Sequence, residues 1–109
     1  MEAHQLIEEI LGVYQKHGWQ LRRVLLTAAT RAELGSSPEL FKTAQVAEST
    51  VDALWFSRPS HEGREAWELR LLSENPYALF ETFERDETEE QREEMRCEME
   101  ARLRDYVTK

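Results

Sequence analysis

A chain of 109 residues and 12.9 kDa has the length of one domain with one core. A hydrophobic share of 40%, with three Trp, three Tyr and four Phe, excludes a disordered chain. The net charge of −8 works against nucleic acid or an anionic membrane as partner, and one cysteine, Cys97, excludes an internal disulfide and a multi-cysteine metal cluster.

No apolar run is long enough to span a bilayer. The opening residues Met1, Glu2, Ala3, His4 and Gln5 lack the basic and apolar parts of a signal peptide, so a cytoplasmic protein is expected. Leu6, Ile7, Ile10, Leu11 and Tyr14 recur at the spacing that gathers side chains on one helical face, opposite Glu8, Glu9, Gln15 and Lys16. Gly18 follows as the left-handed stop. His17 sits where a histidine meets the negative end of a helix, which gives it a capping rather than a catalytic role.

Residues 19–27 fit two periodicities. Trp19, Val24 and Thr27 favour a strand after a turn, whereas Leu21, Val24, Leu25, Ala28 and Ala32 match helical spacing with Gly35 as a stop. A strand is predicted. Residues 30–50 read as a connection, with one helical turn opened by Ser37 and Pro38. That connection is long for a small domain.

Val51 to Arg58 is short, aromatic and ended by Pro59, which predicts a second strand. A polar loop through Ser60, His61, Glu62 and Gly63 leads to a third, where Trp67, Leu69 and Leu71 alternate with Glu68 and Arg70. The turn at Ser73–Pro76 precedes a fourth, Tyr77 to Glu84, although Asn75 and Pro76 also suit a helix start. Glu87 to Val107 is a long helix capped by Asp86 with Glu89 or by Thr88 with Gln91. Its stripe is Met95, Met99, Leu103, Tyr106 and Val107, and its acids crowd the first turns while Arg102 and Arg104 lie near the end, matching the helix dipole. Cys97 lies off the stripe among Glu93, Glu94, Glu98 and Glu100, an environment that raises a thiol pKa rather than activating it.

Together these elements predict a single α+β domain over residues 1–109. Its architecture is a two-layer sandwich in the order α-β-β-β-β-α, with a four-stranded antiparallel sheet covered on one face by both terminal helices. Leu26, Phe56, Leu72 and Phe80 then need cover on the other face, which a homodimer would supply. In size and charge the chain resembles the small acidic export chaperones, which are dimeric α+β proteins. No motif carries that resemblance, and it implies only a role of the same general kind.

Chemistry-bearing motifs are absent. There is no phosphate-binding glycine loop, no metalloprotease pair and no nucleophile elbow, and His4, His17 and His61 are dispersed. No cofactor or metal is therefore expected. The candidate binding residues are Trp55, Arg58, His61 and Trp67, read as an aromatic-floored groove with an arginine for an anion, against the alternative of core tryptophans and an edge ion pair between Glu68 and Arg58 or Arg70. The leading expectation is a non-catalytic protein-interaction domain, chaperone- or adaptor-like and homodimeric. A small-molecule-binding or enzymatic domain around the same cluster is the alternative, and an acidic mimic of nucleic acid a third. What surrounds Arg58 distinguishes them.

Overall fold

The computed structural model describes residues 3–35, 38–41 and 44–108. Its elements run α1 (Ala3–Lys16), β1 (Gln20–Leu26), α2 (Ala28–Leu34), the single turn α3 (Pro38–Phe41), β2 (Gln45–Glu48), β3 (Ala53–Pro59), β4 (Glu65–Leu71), β5 (Ala78–Phe83) and α4 (Glu89–Val107), with a 3₁₀ turn at His61–Gly63.

The fold is α+β with helices at both ends, as expected, but the sheet has five strands rather than four and is mixed rather than antiparallel. The strand order is β2-β1-β3-β4-β5, with β1 parallel to β2 and the other neighbours antiparallel. The extra strand lies inside the stretch expected to be a connection, as does α2. Neither is conspicuous in sequence. No residue of α2 is fully buried, and it meets the core through partly buried Leu34, while β2 is four residues long with only Val46 partly covered.

Capping from a distance adds to the packing of Leu34 and to the bond from Ala3 N to Glu33 at 3.0 Å. The Thr27 side chain accepts from Thr30 N at 3.2 Å, and Asp52 accepts from Thr27 N at 2.7 Å and from the Thr30 hydroxyl at 2.7 Å. One carboxylate on the approach to β3 thus ties the helix start to the sheet. The Ser37 cap expected for α3 lies outside the described residues.

The ambiguity at residues 19–27 has a geometric cause. A bulge falls between Leu21 and Arg23, so Leu21 and Val24, three apart, pack into the same core. An extra residue in a strand restores one face after an odd step, and it imitates helical spacing.

The layers also differ from the expected sandwich. Ile7, Ile10 and Leu11 of α1 pack with Val24, Leu26, Leu54, Phe56 and Leu72. Met99 and Leu103 of α4 pack with Leu25, Ala53, Trp55, Trp67, Leu69 and Phe83. These sets alternate along β1 and β3, so the two long helices cover opposite faces and the fold has three layers. α1, rather than a second copy, therefore covers Leu26, Phe56 and Leu72.

α4 begins with the Thr88–Gln91 capping box. Its inward face is Arg96, Met99 and Leu103, while Tyr106 and Val107 are exposed. Among the described residues no helix is long and apolar enough to cross a membrane.

Candidate functional site

The end of α1 sets up a groove. Gly18, at φ +85°, turns the chain so that Trp19 N returns to Tyr14 O at 3.0 Å. The turn brings the Trp19 ring edge-on to Tyr14 at 6.1 Å. Tyr14 in turn stacks flat on Phe56 at 4.0 Å and donates its hydroxyl to Glu68. Burial, reinforced by that bond to a carboxylate, pushes the phenol pKa well above its ordinary value.

Arg58 closes the arrangement. Its guanidinium lies 4.6 Å from the centre of the Trp19 ring, and Nη1 donates to His17 O at 2.8 Å. Among the described residues its Nε and Nη2 make no hydrogen bond. On the far side Phe80 meets Trp19 edge-on at 6.3 Å. Val13, Tyr14, His17, Trp19, Arg58 and Glu68 line a groove of about 370 Å³. Val13 and Phe80, exposed to 58% and 56%, flank it. Two apolar side chains left this open beside an anchored cation are what a binding surface needs.

Of the four residues singled out in the sequence, only Arg58 is here. Trp55 and Trp67 form a T-shaped pair at 5.8 Å, but on the opposite face, buried under α4. Their indole N–H groups are spent on Glu100 at 2.8 Å and Glu65 at 2.6 Å. His61 is exposed in the 3₁₀ turn. Nor does Glu68 pair with Arg58. It stands opposite Phe56 in the ladder, and Arg58 stands opposite Ala66. The separation of Trp55 from Arg58 follows from strand parity, since residues three apart point to opposite faces. By the same rule Phe56 and Arg58 share a face, the signal that leads to Tyr14, Trp19 and Glu68.

A larger cleft of about 550 Å³ lies between α4 and the β1–β2 edge, with Arg23, Glu93, Glu100 and Arg104 among its walls. Three of its charged side chains are engaged. Arg23 Nη2 meets Glu93 Oε1 at 2.8 Å, and Glu100 is taken by Trp55. The bond from Arg23, aided by Arg96, holds the Glu93 carboxyl below its usual range against a smaller opposing effect of burial. Among the described residues no cluster of three or more His, Cys, Asp or Glu could hold a metal ion. The smaller groove, where a cation held on an aromatic ring stands beside exposed apolar side chains, is the better candidate site. No protein family model, curated protein or solved structure matches this chain.

Proposed function

We propose that the protein is a non-catalytic interaction domain that holds a segment of another protein in the groove beside Arg58. The observation that carries this reading is the anchored guanidinium on Trp19, with donors to spare, between exposed Val13 and Phe80. Catalysis fits poorly. Tyr14 donates its hydroxyl to Glu68, and burial with that bond holds the phenol pKa well above its ordinary value, so the phenol is not poised to exchange protons at ordinary pH. The test is affinity capture with the wild-type chain, Arg58→Ala and Phe80→Ser side by side. A partner held by the wild type and lost by both variants supports the reading, and a partner held equally by all three overturns it.

One observation favours a second reading, the homodimer. Among the described residues the outer edge of β5 has no strand beside it in the five-stranded sheet, and Phe80 stands exposed on that strand. Two such edges running antiparallel across a two-fold axis would join two sheets.

A further inference from the structure

We infer that the groove reads the C-terminal residue of its partner, with the terminal carboxylate on Arg58 and a large apolar side chain against Trp19, Val13 and Phe80. This rests on the reading of the groove as an interaction site. Arg58 is held for the task at two points, the Trp19 face at 4.6 Å and the His17 carbonyl at 2.8 Å. Its Nε and Nη2 remain as a planar pair of donors, the geometry that grips a carboxylate by both oxygens. Little side-chain freedom is left to lose on binding, which preserves affinity.

Charge selects a terminus over an acidic stretch. Among the described residues Arg58 is the only arginine or lysine lining the groove, and the other charged wall is a carboxylate, Glu68. A chain of net charge −8 repels a segment rich in Asp or Glu, whereas a terminal carboxylate brings a single negative charge. Geometry selects it as well. A C-terminal residue carries carboxylate and side chain on the same Cα, matching a cation set directly beside apolar surface. An internal acid places its carboxylate and the nearest apolar group on different residues.

The experiment titrates the full chain with three peptides and follows the Trp19 indole and Val13 methyl resonances. The peptides are acetyl-Gly-Ser-Gly-Val-Phe with a free carboxylate, the same peptide as its amide, and acetyl-Gly-Ser-Glu-Val-Phe amide. The free acid is expected to bind about 10- to 100-fold more tightly than either amide, the worth of hydrogen bonds to a charged group. Arg58→Gln should bring the acid down to the level of the amides, with the signals of buried Trp55 and Trp67 unchanged to show that the variant is folded. Equal binding of acid and amides overturns the inference while leaving the groove as an interaction site, and so does binding led by the glutamate peptide. Binding of none of them also overturns it. The groove itself is then judged separately by whether Arg58→Ala and Phe80→Ser lose a captured partner.

Discussion

The guanidinium of Arg96 lies 4.5 Å from the centre of the Trp67 ring with the residue only 1% exposed, so the core under α4 contains a cation. Glu93 accepts from its Nε at 3.0 Å and Glu89 from its Nη2. Both acids are partly in water, at 46% and 74% side-chain exposure. The charge is thus covered by aromatic faces below and carboxylates above, and its stem fills the helical position before Met99 and Leu103.

Arg96→Ala is expected to cost about 2–4 kcal/mol, because it removes a buried stem and a cation–π contact together. Arg96→Met should cost less, about 1 kcal/mol, since it keeps the volume and the exposed acids can return to water. Urea unfolding of the two variants measures both. Equal losses would mean that the charge, rather than the packing, stabilises this core.

Tyr14 makes stability depend on alkaline pH. Its folded pKa lies above the ordinary 10.0, so the folded state favours the protonated phenol. That contribution is complete below the unfolded value and is lost as pH rises beyond it. The stability difference between wild type and Tyr14→Phe should therefore be larger at about pH 8 than at about pH 11. Glu93 works in the other direction, because its folded pKa is lowered. The stability difference between wild type and Glu93→Gln should shrink as pH falls through the carboxylate range, and it should stay small because the side chain is half exposed.

Arg58→Ala should cost about 1 kcal/mol or less, since the side chain is exposed and gives up one ring contact and one hydrogen bond. The thermal midpoint then stays within a few degrees of wild type. A collapse of the fold would assign Arg58 a structural role in place of a binding one.

Cys97→Ser should change stability by less than about 0.5 kcal/mol, as exposed positions usually do. The thiol is 3.9 Å from Glu93 Oε2, a neighbour that supplies none of the positive charge that activates a cysteine nucleophile. It should therefore react with a thiol reagent no faster than free cysteine does at the same pH.

Pairing of two copies through their β5 edges predicts a dimer in sedimentation equilibrium at micromolar concentration, weakened by Phe80→Lys or Thr82→Lys. A single species of 12.9 kDa across that range would leave the β5 edge unpaired in solution.

Elements with a one-sided pattern were legible in the sequence. The stripe of α1, the alternation of Trp67 with Glu68 in β4, the turn at Gly18 and the box at Thr88 all carry their reasons locally. Elements held by distant groups were not. α2 depends on Asp52, far along the chain, and β2 on a parallel partner, so neither announces itself in a window of sequence. The layering error has its root in Ala53–Ser57, where five successive residues are buried. A strand apolar on both sides needs two covers, and assigning both helices to one face left a second copy to supply the other. Of the candidate groove, strand period makes only a part legible. On β3 it puts Phe56 and Arg58 on one face and Trp55 on the other. Trp19 precedes β1 and Tyr14 lies on α1, so only the folded chain brings them together.

That central strand has a further consequence. Leu54 and Phe56 of β3 belong to the core under α1, and Ala53 and Trp55 to the core under α4. Neither core can open without disturbing a backbone the other is gripping, so the halves melt as one cooperative unit. The slowest amide exchange should lie in β3, reached only by global unfolding. The groove on one side inherits its rigidity from a helix it never touches, because α4 clamps the strand on which Arg58 is mounted.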